Sequence, residues 1–370
     1  MAKKTNSKTQ KYKKINEVAY IKLYVPIENL EVDEKITLGS IIIHPSSDIK
    51  GVIDHFNEIT KTTKNTEEEK KKISKWQEND LKQHLGRFAF TELEWVCDPK
   101  EKLIPKDLTT IYDRVKEVLA VLYLLQKQIT GITSVEHQKF GLSRELYRSL
   151  NCIVATEKIG GRSSYSLQRE GVLADWKFVK REIDKFPTNS VFQYFNSLLN
   201  KKNKNEMESR LLSSIIWLYD AILDFTPTGR FIKLIISLEV LFASKKNQKS
   251  FRLSRFSTLL SHLYIFQKLK CQCPILESHT YNEYKQKIEE LGLPGVCSAF
   301  WDIRKWYKIR SGIVHDADRH IEKKDLNSLE WWAHKLIFAL IEVLSRENIS
   351  TLDELENFLE QEYQEKLNSN

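Results

Sequence analysis

The chain reads as an α+β protein, predominantly α: an N-terminal α/β region followed by a C-terminal helical bundle. Three observations point there. Only 12 glycines and 8 prolines occur in 370 residues, and a chain short of both turn formers favours helices over a β-sandwich or barrel. Period-two alternation of apolar residues is confined to the first 170 residues. Apolar residues at helical spacing dominate the rest. A composition of 41% hydrophobic and 29% charged residues suits a globular protein with a real core, and the length allows about two or three domains.

Residues 1–14 are basic and polar and are expected to be disordered. Ala19–Val25 alternates as a half-buried strand does, Ile36–Ile43 reads as a second strand ended by Pro45, and a third lies near Arg87–Val96. The charged stretch Lys61–Lys72 between them reads as a loop or an exposed helix edge. From Leu108 to Ile129 the apolar set Ile111, Val115, Val118, Leu119, Leu122 and Leu125 marks a helix closed by Gly131. Residues 151–167 look extended again, with Gly160-Gly161 as a turn. Residues 15–170 are therefore taken as the N-terminal α/β region, 171–204 as a helical connector and 205–370 as a helical domain. In the connector, Ala174–Phe186 is amphipathic and stopped by Pro187, and Asn200–Asn205 is a lysine-rich linker. Helices follow over Leu211–Asp224, broken at Thr226-Pro227-Thr228-Gly229, then Phe231–Ala243, Leu253–Leu269, Tyr281–Leu291 and Val296–Ile309. Leu326–Leu344 carries Leu329, Trp332, Leu336, Leu340 and Val343 on one stripe, and Thr351 with Glu354 forms a capping box for a last helix over 352–366. Short connections between these helices imply antiparallel neighbours.

The net charge of +8 is uneven. Residues 346–370 carry two basic residues against seven acids, a net of −5, which leaves +13 on the remainder. A basic body fits an anionic partner such as RNA, DNA or an acidic protein; solvated lysine runs of no functional meaning explain it equally well. Five scattered cysteines, Cys97, Cys152, Cys271, Cys273 and Cys297, fit a reducing compartment. The N-terminus lacks an apolar stretch, and the longest apolar run, Val118–Leu125, is too short for a bilayer. A cytoplasmic protein with no membrane partner is expected.

The densest chemistry lies at Trp306-Tyr-Lys-Ile-Arg310-Ser-Gly-Ile-Val-His315. A guanidinium grips phosphate oxygens in a fork and stays charged. An imidazole can move a proton near neutral pH. On a straight helix, however, Arg310 and His315 sit about 140° apart around the axis. Either Gly312 loosens the backbone between them, or two copies of the motif meet across a two-fold axis. A buried ion-pair role at a helix end is the structural alternative.

Arg310-Ser-Gly-Ile-Val-His315 resembles the Arg-x4–6-His signature of HEPN domains. Upstream, Trp217-Leu-Tyr-Asp-Ala221, Ile235-Ile-Ser-Leu-Glu-Val-Leu-Phe242 and Phe251-Arg-Leu-Ser-Arg-Phe256 resemble the Apea-like branch of that superfamily, over about residues 205–345. The resemblance implies a helical bundle that forms a homodimer and often acts as a ribonuclease without metal or other cofactor, frequent in bacterial toxin and anti-phage systems. It places the catalytic arginine at Arg310 and the catalytic histidine at His315. Ser311 stands where the family commonly has Asn, and Glu239 is the candidate supporting residue. The implied substrate is RNA, of which tRNA and mRNA are both candidates, cleaved by its own 2′-hydroxyl. The N-terminal region would sense or recruit a phage trigger or partner protein. The alternative is a non-catalytic HEPN module for dimerisation, RNA binding or partner binding.

Weaker signals have blander readings. Cys271, Cys273, His279 and Cys297 do not fit a common zinc spacing. The nine histidines include no i, i+4 pair. Gly160-Gly161-Arg162 lacks the lysine of a phosphate loop. Trp301, Trp306, Trp331 and Trp332 suit core or interface positions better than base stacking, and Lys201-Lys-Asn-Lys204 suits a solvated loop. No helix-turn-helix or zinc pattern supports a DNA-binding regulator.

Overall fold

A computed structural model describes residues 19–61, 65–86, 89–97, 105–130, 141–142, 151–156, 160–164, 176–224, 226–243, 249–266, 280–290, 298–315 and 320–369. The architecture is α+β and predominantly α, with a small antiparallel sheet near the N-terminus. Among the described residues no helix is long and apolar enough to cross a membrane.

The sheet is built around strand β1 (Ala19–Glu28). Next come β2 (Leu30–Val32), β3 (Ile36–Leu38), β4 (Ile41–His44), β5 (Phe90–Cys97), β6 (Gly141–Leu142), β7 (Asn151–Thr156), β8 (Gly160–Ser164) and β9 (Trp176–Phe178). The order is β3-β4-β5-β1-β7-β8, with β6 at the end of β1. β1 runs antiparallel to β5 from Ala19↔Cys97 to Pro26↔Phe90. Its alternation is used on both faces. Leu23, Val25 and Ile27 enter the main core, and Tyr24 enters a second cluster with Val52, Phe56, Leu81, Leu85 and Phe90. That second cluster is supplied by helices α1 (Ile49–Lys61) and α2 (Glu67–Leu85). The main core continues onto α3 (Pro105–Thr130) through Val115, Leu119 and Leu122.

Several expectations change here. The single strand Ile36–Ile43 is a hairpin, because Gly39 adopts φ +62° between β3 and β4. A Cβ at Gly39 would also lie 2.8 Å from Leu199 Cβ, so glycine is required twice. The stretch Lys61–Lys72 ends one helix and begins another, since Thr66 and Glu69 form a capping box for α2. Gly160-Gly161 are not the turn: they pair with Ala155 and Val154 as part of β8. Ala174–Phe186 is not one helix. Trp176–Phe178 pairs in parallel with β2, and only the single turn α4 (Lys180–Ile183) follows. Phe178, Ile183 and Phe186 are buried by this route. Residues 1–14, Gly131 and the set Cys271, Cys273, His279 and Cys297 lie outside the described residues.

The bundle comprises α5 (Ser190–Asn200), α6 (Glu206–Leu223), α7 (Pro227–Phe242), α8 (Lys249–Leu260, running on in a wider π turn over Ser261–Ile265), α9 (Tyr281–Glu290), α10 (Ser298–His315), α11 (Lys323–Arg346) and α12 (Leu352–Asn368). Thr226-Pro227-Thr228-Gly229 does more than end α6. Thr226 caps α7 by accepting from Gly229 N–H at 3.1 Å, and Pro227 occupies its first turn. α7 packs against α6, α8, α10 and α11. Its Phe231, Leu234, Ile235, Leu238, Leu241 and Phe242 are fully buried. Where α6 meets α7, Ser214 and Ser237 are small enough for close approach, and their hydroxyls hydrogen-bond at 2.9 Å.

The acidic end of the chain has a structural use. Arg255 on α8 is 8% exposed and donates to Glu356 on α12 at 2.8 Å. Arg252 donates to Glu356 at 2.6 Å and to Asp353 at 2.9 Å. The local negative excess of residues 346–370 thus meets two arginines of the basic body. Replacing Arg255 with Ala leaves Glu356 partly buried beside a single cation. The expected cost is about 2–4 kcal/mol in urea unfolding, whereas Arg346→Ala, an exposed i, i+4 partner of Glu342, should cost under about 0.5 kcal/mol.

Candidate functional site

The rotation of α10 is set by its buried stripe. Ala299, Phe300, Ile303 and Trp306 are all buried, at the spacing of one helical face. Measured from Ile303, Trp306 lies at about −60°, Arg310 at about −20° and His315 at about 120° around the axis. Arg310 therefore continues the buried stripe and His315 leaves it. Arg310 is 26% exposed, while His315 is exposed at the last residue of the helix. The backbone is helical through Gly312, so the glycine does not loosen the segment. Within one chain the two groups stay on different faces, about 7.5 Å apart along the axis.

Arg310 faces Glu239 on α7. Nη2 lies 3.8 Å from Glu239 Oε2, within ion-pair range and beyond hydrogen-bond length. Arg310 Nε and Glu239 Oε1 are both buried and have no hydrogen-bond partner among the described residues. The guanidinium also sits 5.8 Å from the centre of the Tyr307 ring. Burial pushes the Tyr307 hydroxyl above its usual pKa, and the neighbouring Glu239 carboxylate adds to the shift. The pocket thus holds a positive charge beside one carboxylate and one neutral phenol, with donor capacity on the guanidinium left unspent. Such a group can take a phosphate oxygen without first breaking a tight pair.

Of the residues singled out in the sequence, Arg310 and Glu239 are brought together. Ser311 is half-buried beside them on α10. His315 is not part of the same cluster. Tyr307 is a member that the motif alone does not reveal; its signal is its position three residues before Arg310, on the same helical face. Past Arg310 that face continues to Val314, an apolar side chain that is 51% exposed. Among the tryptophans, Trp306 and Trp332 are buried and Trp301 and Trp331 half-buried. Among the described residues no group of His, Cys, Asp and Glu is arranged to hold a metal ion.

Comparison with known protein families, with curated proteins and with solved structures finds no match. The long Arg310–Glu239 contact carries its own expectation. In a double-mutant cycle of Arg310→Ala and Glu239→Gln, urea unfolding should give a coupling energy below about 1 kcal/mol, the range of part-exposed pairs. A coupling of about 3 kcal/mol or more would make the pair a structural clasp like that of Arg255.

Proposed function

We propose that this chain is a metal-independent endoribonuclease of the HEPN type, of the Apea-like branch, acting as a homodimer in a bacterial toxin or anti-phage system. The observation that carries the reading is Arg310: a guanidinium 26% exposed whose contact to the Glu239 carboxylate is 3.8 Å long, on the helix that ends in an exposed histidine.

RNA carries its own nucleophile, the 2′-hydroxyl, so the protein has only to position it, move protons and stabilise charge. His315 takes the proton from the 2′-oxygen or gives one to the departing 5′-oxygen. Arg310 stabilises the charge that builds on the phosphorane. Attack of the 2′-oxygen on phosphorus forms one P–O bond as the bond to the 5′-oxygen breaks, leaving a 2′,3′-cyclic phosphate and a 5′-hydroxyl. Tyr307 and Glu239 position the arginine. The offset of about 140° between Arg310 and His315 is met by a second chain. A two-fold through the Val314 face sets two motifs in one cleft, buries that exposed valine, and supplies an arginine and a histidine from each copy. The N-terminal α/β region serves as the sensing or recruiting part.

A second reading, a non-catalytic HEPN module, is favoured by two features. Ser311 stands where the family commonly has Asn, and Glu239 competes with phosphate for Arg310.

Incubation of the purified chain with total RNA separates the two. The ribonuclease reading expects cleavage that persists in excess EDTA and leaves 5′-hydroxyl ends. Arg310→Ala and His315→Ala should each lower the rate by about a hundredfold or more with an unchanged helical circular-dichroism spectrum. Cleavage that requires Mg²⁺, or that survives in the double variant, contradicts this chemistry; RNA binding without cleavage by wild type supports the module.

A further inference from the structure

Helix α10 has a further face that neither its buried stripe nor the Arg310 pocket uses. Measured from Ile303, Arg304 lies at about 100° around the axis, Lys308 at about 140°, Ser311 at about 80° and His315 at about 120°. These four residues therefore form one stripe along the helix. It faces solvent: Lys308 and His315 are exposed, and Arg304 and Ser311 are half-buried.

The stripe carries one sign of charge. Between Ser298 and His315 there is a single acid, Asp302, about 140° around the axis from His315. Lys305, at the edge of the stripe, is held by Asp325 at 2.6 and 2.8 Å. Among the described residues, Arg304 and Lys308 have no carboxylate partner. Arg304 instead sits 3.5 Å from the centre of the Tyr281 ring on α9, and Tyr281 meets Trp301 edge-on at 6.4 Å. A guanidinium stacked on an aromatic face is held in place while its N–H edge stays open to an anion. This differs from Arg252 and Arg255, whose guanidinium groups are closed onto carboxylates.

The stripe is continuous with the proposed site. Lys308 lies about 10.5 Å and Arg304 about 16.5 Å from His315 along the axis. Val314 sits at about 20°, so a two-fold through its face leaves the stripe on the outside of the assembly.

We propose that a single RNA strand runs along this face, from the scissile phosphate at His315 outward, with Lys308 and then Arg304 holding phosphates that are not cleaved. The inference rests on the ribonuclease reading for the chemistry at His315 and adds two substrate-positioning residues to it. Cations without carboxylates, in line with the proton-transferring histidine, match a polyanionic backbone, and a track one helix wide follows one strand. Contacts to remote phosphates hold substrate and transition state alike, so their loss raises KM and leaves kcat in place.

Fluorescence anisotropy with single-stranded 2′-O-methyl RNA tests this on the full chain, because that RNA lacks the free 2′-hydroxyl and is not cleaved. Titrations are run at several salt concentrations. Lys308→Gln and Arg304→Gln should each weaken binding about fivefold or more, whatever the RNA sequence, and lower the slope of log affinity against log salt by about 0.7. Lys308→Arg should restore both quantities. Lys82→Gln, at an exposed position paired with Glu78 on α2, should change neither. With unmodified RNA, Lys308→Gln should raise KM by a similar factor at an unchanged kcat and melting temperature. Wild-type affinity and salt slope in both glutamine variants overturn the proposal, as does a wild-type chain that does not bind this RNA. Binding through Lys308 and Arg304 without cleavage of unmodified RNA keeps the track and removes the ribonuclease reading. Cleavage that both glutamine variants carry out with wild-type KM does the reverse.

Discussion

A helix packed by four neighbours leaves its polar residues few places to point. That constraint on Pro227–Phe242 organises the bundle. Six of its sixteen residues are fully buried apolar side chains, and removing any one would open a cavity costing about 2–5 kcal/mol. With the apolar faces committed, Arg230 is directed to Glu330 near one end and Glu239 to Arg310 near the other. The two chemically distinctive places in the molecule are thus held by one rigid element. The capped, proline-started N-terminus fixes its beginning, and the serine pair with Ser214 fixes its depth against the preceding helix.

Charge is divided along the same lines. The C-terminal acids close onto Arg252 and Arg255 at short distances, whereas Arg310 meets its carboxylate only at 3.8 Å. The molecule therefore holds two kinds of arginine. One kind is clasped and structural, and its loss strands carboxylates. The other meets its carboxylate only at long range, the state a phosphate-binding group needs before its ligand arrives. The motif Phe251-Arg-Leu-Ser-Arg-Phe256 belongs to the first kind, since its arginines tie the last helix to the body.

The legible parts of the sequence were those with strong local periodicity. The helices from Leu211 onward followed from apolar spacing, and the last one from the Thr351–Glu354 box, which the structure contains. Helix α2 was less legible because it is rich in Lys and Glu, whereas α1 carries Ile49, Val52, Ile53 and Phe56 at helical spacing, a legible stripe. Trp176-Lys-Phe178 was misread because three residues fit either period, and only its pairing partner Leu30–Val32, some 145 residues earlier, decides for a strand. At the site, Arg310 and His315 stood out by residue type and spacing. The Glu239 contact followed only a family resemblance, and Tyr307 and the Arg230–Glu330 pair did not stand out at all. Contacts between residues about 70 or 100 positions apart are made by packing and leave no local pattern.

The straight run of α10 through Gly312 is what turns the site into a question of assembly. One chain presents Arg310 toward the core and His315 toward solvent, and the exposed Val314 beside them is suited to burial against a copy of itself. The most direct measurement is sedimentation velocity run beside RNA cleavage over a common range of protein concentration. The account predicts that specific activity follows the fraction of dimer and vanishes in the monomer. Full specific activity in a chain that sediments as a monomer would contradict it.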